Sequence, residues 1–286
     1  MAQRSAVIPS LGWLILAIWP GSPSAGRANP YAFNRSMSPD FNCDLGEGEP
    51  PARTRALMRW ITSANVACGG HAGDVRSMEV CVRLAKQFDV KLGAHPGPWS
   101  REDFGRSAAA VTPDELELLL IQQIGALERV AGAHGVKLHH IKLHGALYHA
   151  SETNPALASR YIASVRRWWP RCVIYAQAGG RLAARANRVG LKVWQEAFVD
   201  RGYRDDSSLV RRGEAGAIIT ATAAITRRVG MLCAHGRVES ISGRRLRVCA
   251  DTICLHSDSP RSAALAEAVA MTLRAQKRNK AVRPNY

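Results

Sequence analysis

Ionisable side chains recur in this sequence directly after short apolar runs. Asp44 and Glu47 follow Phe41-Asn42-Cys43, His71 and Asp74 follow Ala64 to Cys68, and His95 follows Val90 to Ala94. Lys142, His144 and Tyr148 end the run that starts at Leu138. Glu196, Asp200 and Arg201 close a later one, and His256 and Asp258 close the last. Clustered titratable groups are costly to bury unless they are paired or used, so this recurrence points to a site. Two chemistries fit these residue types. Histidines with Asp and Glu could bind a divalent metal that activates water, with Asp44, His71 and His95 the candidate ligands. Without a metal, a carboxylate could act as general base while Lys142 or Arg201 stabilises an oxyanion. No H-E-x-x-H spacing and no G-x-S-x-G elbow occurs, and Cys68 reads as a small buried residue.

The elements that must position these side chains alternate between strand and helix. Strands are expected at 41–43, 64–68, 90–94, 138–143, 172–176, 191–198, 238–241 and 252–255. Helices are expected at 51–62, 75–87, from Pro113 past Val130, 155–168, 180–188, 214–228 and 260–275. Asp74 is a candidate N-cap, Thr112-Pro113-Asp114-Glu115 combines a capping box with proline at the first helical position, and Ser259-Pro260 opens the last helix. Leu116, Leu119, Leu120, Ile124, Leu127 and Val130 mark one face of a helix. Such alternation implies a parallel sheet or barrel. The sequence has neither G-x-G-x-x-G nor a P-loop, which favours the barrel, and in a parallel barrel every strand end opens on one face.

Composition is that of a globular protein, with 47% hydrophobic and 22% charged residues in 286. The net charge of +16 suggests nucleic acid at first. Half of it lies at the ends, however. Residues 1–36 carry three basic side chains and 274–286 carry five, with no acid in either. Seven cysteines without a CxxC pair fit a reduced cytoplasmic protein. Leu11 to Trp19 resembles a signal h-region, but only Arg4 precedes it and no A-x-A follows. Residues 1–36 are therefore read as an extension with Met37 as the natural start, 37–275 as the barrel and 276–286 as a basic tail.

Asp40-Phe41-Asn42-Cys43-Asp44-Leu45-Gly46-Glu47-Gly48 and Ser63-Ala64-Asn65-Val66-Ala67-Cys68-Gly69-Gly70-His71-Ala72-Gly73-Asp74 resemble the first two motifs of the LamB/YcsF family. Gly93-Ala94-His95-Pro96 with Phe104-Gly105-Arg106, and Lys142-Leu143-His144-Gly145-Ala146-Leu147-Tyr148, are similar to the next two. Asp200-Arg201-Gly202-Tyr203 and Thr252 to Asp258 look like the last. The resemblance implies a distorted (β/α) TIM-like barrel of the glycoside hydrolase/deacetylase type. It also implies an ATP-dependent cyclic amide hydrolase, a 5-oxoprolinase that opens 5-oxo-L-proline to glutamate together with subunits B and C, which share the ATP. On that basis Asp44, Glu47, His71, Asp74 and His144 are the candidate catalytic residues. His95, Lys142, Tyr148, Arg201 and His256 are the candidate substrate contacts, with Lys142 and Arg201 holding carboxylate or phosphate.

This chain departs from the family pattern at several positions. Gly70 stands where Phe is usual, which would leave the pocket wall more open. Leu143 replaces Pro, His149 replaces Asn, and Ser257 replaces Gly. Asp206-Ser207 and Arg211 interrupt the stretch after Asp200. Two rival readings use the same residues. A stand-alone metal-dependent deacetylase or amidohydrolase would act without ATP. A non-catalytic binding partner would tolerate loss of Asp44 and His71.

Overall fold

The computed structural model describes residues 38–107, 111–259 and 261–282. The expected N-terminal extension, the proline of the Ser259-Pro260 helix start and the end of the basic tail lie outside these residues.

Among the described residues, seven parallel strands close a barrel. They are β1 (Asp40–Leu45), β2 (Ser63–Ala67), β3 (Lys91–His95), β4 (Leu138–Ile141), β5 (Val173–Gln177), β6 (Val193–Phe198) and, last in the chain, β9 (Thr252–Leu255). The last strand lies between β6 and β1 and completes the ring. Between them run α1 (Pro51–Met58), α2 (Val75–Phe88), α3 (Pro113–Ala133), α4 (Gly145–Thr153), α5 (Pro155–Trp168), α6 (Arg181–Arg188) and α7 (Thr222–His235). A closing helix, α8 (Ser262–Val282), follows the last strand.

Local chemistry accounts for the helix starts. Asp74 accepts from the backbone of Ser77, whose hydroxyl accepts in return, and Thr112 makes the same reciprocal pair with Glu115. Asn154 accepts from Ala156 and Leu157, separating α4 from α5. Leu116, Leu119, Leu120, Ile124 and Leu127 on α3 are buried in the core, with Val130 partly buried at its edge. Each fully buried leucine contributes about 1.5–3 kcal/mol.

The structure corrects several expected boundaries. Residues 214–221 are not helical: Gly216 sits at φ +77° in a turn, and α7 instead runs from Thr222 to a left-handed Gly236. The segment expected as a strand at 238–241 does not enter the barrel. Its core, β7 (Arg237–Glu239), pairs antiparallel with β8 (Arg245–Arg247) outside it, because only Val238 offers a buried side chain there. The first helix stops at Met58, the fourth strand stops at Ile141 and α4 follows it. The last helix continues to Val282, into the stretch read as tail.

The barrel interior is polar along its length. Asp40, Asn42 and Asp44 alternate inward on β1, as the two-residue strand period requires. Asn42 donates to Thr252 at 2.7 Å, Asn65 donates to Asn42 and to Asp44 at 2.7 Å, and His140 meets the Asn65 oxygen at 2.7 Å. His140 stacks on Tyr175 with ring centroids 3.9 Å apart. A Cβ on Gly93 would lie 2.1 Å from His140 Nε2, so only glycine leaves room for that ring. This buried network fixes the rotation of β1 and β2, and with it the direction in which Asp44 points.

Candidate functional site

The strand ends and the loops after them meet on one face. Asp44 closes β1, and Glu47 lies in the turn beyond it. That turn is held by Glu49, whose carboxylate accepts from the backbone of Gly46 and Glu47 at 2.7 and 2.9 Å and from Thr54 Oγ1 at 3.0 Å. His71 comes from the β2–α2 loop, His95 from the end of β3, Lys142 and His144 from the segment between β4 and α4, and His256 from beyond β9.

Glu47 is the hub of the imidazoles. Its Oε1 lies 3.0 Å from His71 Nε2, 3.2 Å from His144 Nδ1 and 3.7 Å from His95 Nε2. The His71 and His144 rings stack at 3.5 Å, with the Phe104 ring edge-on to both. Burial pushes the Glu47 carboxyl up, but the histidines His144 and His71 outweigh it and hold it well below the usual carboxylate range. Burial lowers His71 to about 4, so this ring is neutral at pH 7. Glu47, His71, His95 and His144 each bring one donor atom within 4.8 Å of the others, close enough to hold a metal ion. Asp44, Cys254 and His256 form a second such group.

Asp44 is the hub of the charges. Its Oδ1 accepts from Asn65 and from Lys142 Nζ at 2.7 and 2.9 Å, while Oδ2 faces His95 Nε2 at 3.5 Å and His256 Nε2 at 3.8 Å. Burial opposes its ionisation, but His95 and Lys142 outweigh that and keep it ionised. Lys142 also lies 3.0 Å from Glu196 Oε1 and 3.1 Å from Cys254 Sγ. Burial pulls its amine down, and Asp44, Cys254 and Glu196 more than offset it. Asp200 fixes His256 twice, through its backbone N–H and its Nδ1, both at 2.9 Å. The free nitrogen of that ring is thereby turned toward Asp44.

Nine of the ten expected site residues lie at this end of the barrel, but not all are available to a substrate. Asp74 is not brought in: its exposed carboxylate is occupied as the cap of α2. Arg201 is buried and donates to the carbonyls of Ala217 and Val210, so it braces its own loop rather than offering a free cation. Lys142 is already neutralised by two carboxylates. Tyr148 packs edge-on against Phe198, and its buried hydroxyl has no hydrogen-bond partner among the described residues. Burial raises the Cys68 thiol to about 12, which removes it as a nucleophile.

Gly70 does not open the wall. Gln123 from α3 fills the space beside it and bridges both Gly97 N and Gly97 O, at 3.0 and 2.7 Å. A cleft of about 350 Å³ lies over Glu47, lined by Arg53, Phe104, Arg106 and Asp258 among others. Arg106 and Arg212 converge on Asp258 Oδ2 at 3.2 and 2.7 Å at the edge of this cleft. A larger hollow, about 630 Å³, sits on the outer helices α5 and α6 and has neither histidine nor carboxylate in its lining. The smaller cleft is therefore the one with chemistry beneath it. Glu49, Glu196, Asp200, Arg106 and Arg212 complete the site beyond the expected set. Glu196 and Asp200 carry the same strand-end signal as the others, whereas nothing in the local sequence marks Glu49 or Arg212.

The family model for LamB/YcsF matches residues 39–285. The A subunit of 5-oxoprolinase from Heliobacterium modesticaldum is 43% identical over 240 residues, covering 83% of this chain and 94% of that protein. The same-named protein of Pyrococcus abyssi is 41% identical, covering 79% and 90%. The solved structure of a lactam utilization protein from Thermus thermophilus superposes with a TM-score of 0.77 at 34% identity, covering 84% of this chain and 97% of that one.

Proposed function

The chain belongs to the LamB/YcsF family, and from that membership and the cluster beneath the cleft we propose that it is the A subunit of an ATP-dependent 5-oxoprolinase. In this reading it opens the lactam of 5-oxo-L-proline to L-glutamate in the cytoplasm. The observation that carries the reading is the convergence of Asp44, Glu47 and four histidines under one small cleft.

Amide hydrolysis needs a nucleophilic water, a stabilised tetrahedral centre and a protonated leaving nitrogen. ATP, shared with partner subunits B and C, would supply activation of the ring by phosphorylating the amide oxygen, the phosphate leaving as the product carboxylate forms. Asp44 Oδ2, ionised and free of a close donor, takes the proton of the attacking water. His256, whose Nδ1 is held by Asp200 and whose Nε2 lies 3.8 Å from Asp44 Oδ2, relays that proton to the ring nitrogen as the C–N bond breaks. Arg106 and Arg212 meet the substrate carboxylate at the mouth. A divalent cation among the histidines is the second cofactor this reading allows, and it would supply activation of the water. The seven cysteines, none in a CxxC spacing and six of them buried, support a reducing compartment. No described helix is long and apolar enough to cross a membrane.

The test is glutamate release from 5-oxoproline by this chain with and without subunits B and C and ATP. Release that requires all components supports the reading. Hydrolysis of acetamido substrates without ATP would favour the amidohydrolase alternative instead.

A further inference from the structure

The imidazole cluster contains more electron pairs than protons. His95 Nδ1 lies 2.8 Å from the carbonyl oxygen of Lys142, and His144 Nε2 lies 2.9 Å from that of Phe104. A carbonyl oxygen can only accept, so each of those ring nitrogens carries the hydrogen. In the neutral rings His95 Nε2 and His144 Nδ1 are then bare, and they face each other at 2.9 Å. Glu47 Oε1, another acceptor, is 3.2 Å from one and 3.7 Å from the other. Three electron-pair donors pointing at a common space repel one another unless a positive charge, an added proton on one ring or a metal ion, sits among them.

Their spacing suits one kind of cation. Nitrogen and oxygen ligands about 2.0–2.1 Å from a tetrahedral zinc ion lie roughly 3.3 Å apart, and the three separations here bracket that value. The supporting contacts fit as well. Metal-binding histidines characteristically donate their other N–H to a carbonyl or carboxylate, as both of these do. The carbonyl serving His144 is set by a left-handed backbone at Phe104, φ +60°, an uncommon conformation for a bulky residue. His71 does not meet the same criterion: its buried Nδ1 has no partner among the described residues, and its Nε2–H serves as a donor that orients Glu47.

We propose that Glu47 Oε1, His95 Nε2 and His144 Nδ1 are the three protein ligands of a divalent, zinc-type metal site, with His71 outside the ligand set. Three ligands leave a position for water, and Asp44 is the adjacent carboxylate, as in catalytic rather than structural sites. This assignment differs from the sequence-based candidates, sharing with them only His95. It is drawn from protein atoms alone, so failure of the lactam reading would leave it standing.

The test is metal binding by the full chain, without reference to activity. Chelator-treated protein is titrated with Co2+, followed by visible d–d absorption, and with Zn2+, followed by thermal unfolding. One ion per chain is expected, with Tm raised by ~5–10 °C when Zn2+ is about 100-fold above its Kd. His144→Ala and His95→Ala should each lose the Co2+ absorption and the Tm rise. His71→Gln, which keeps an N–H for Glu47, should bind with less than a ~10-fold loss, at the low end of outer-contact effects. Circular dichroism checks that the variants are folded, and the wild-type titration decides the matter even where one is not. Absence of stoichiometric binding by the wild type, binding unaffected by His144→Ala, or complete loss in a folded His71→Gln would overturn the assignment.

Discussion

Lys142 is the residue whose expected and observed roles differ most, and its replacement by methionine separates them. As an anion binder at the floor of the cleft it would be free, and Lys142→Met would raise KM while leaving stability alone. The structure instead places its Nζ between Asp44 and Glu196, at 2.9 and 3.0 Å, with all three side chains buried. Removing one partner of a buried ion pair costs about 3–5 kcal/mol, because the remaining charge is left uncompensated. For a folded unit of this size each kcal/mol moves Tm by ~2–4 °C, so a fall of ~6–20 °C is expected in calorimetry. The double variant Lys142→Met/Glu196→Gln removes the surplus negative charge and should recover at least half of that fall. A drop under ~2 °C, or a double variant no better than the single one, would refute the account of Lys142 as a buried counter-ion.

Three smaller predictions follow from the same contacts. Asp74→Ala removes the cap of α2 and should cost ~1 kcal/mol in urea unfolding while leaving ring opening unchanged, whereas a large loss of turnover would return Asp74 to the catalytic set. Gly70→Ala puts a Cβ 2.4 Å from Gln123 Nε2 and 2.5 Å from Gly97 O, so destabilisation of ~1–3 kcal/mol is expected, and a neutral outcome would show that the wall is open after all. Burial, aided by the charges of His139 and Lys142, holds His140 well below its usual pKa near 6.5. The unfolded chain takes up this proton as pH falls through about 6.5 while the folded chain does not, so stability is full above that pH and declines below it. Urea unfolding at pH 7.5 and 5.0 should show the decline, and His140→Gln should reduce it; an unchanged slope in the variant would contradict the assignment.

Much of this arrangement is legible in the sequence because barrels impose simple rules. Short apolar runs followed by Asp, His or Lys mark strand ends, and parallel closure puts those ends on one face, so Asp44, Glu47, His71, His95, His144 and His256 could be grouped from spacing and residue type. Capping chemistry likewise located the starts of α2 and α3. What escaped depends on partners distant in the chain. Asp74 carries the same local signal whether it caps a helix or lines a pocket, and only the direction of its side chain decides. Lys142 and Arg201 look like free cations until Glu196 and the carbonyls of Val210 and Ala217 are seen beside them. The wall at Gly70 is closed by Gln123, a polar residue on an apolar helix face, 53 positions away. The β7–β8 hairpin misled because three residues of strand composition do not reveal whether they pair inside the barrel or outside it.

Glutamate formation from 5-oxoproline by the complete complex, comparing wild type with Asp44→Asn, tests the central claim most directly. Asparagine keeps the size of the side chain and a hydrogen-bonding oxygen, and it removes the base. The account predicts a loss of at least ~100-fold in kcat, the scale of a positioned general base, in a variant that still folds and still assembles with its partners. Wild-type rates in Asp44→Asn would contradict it and would move the chemistry out of this barrel.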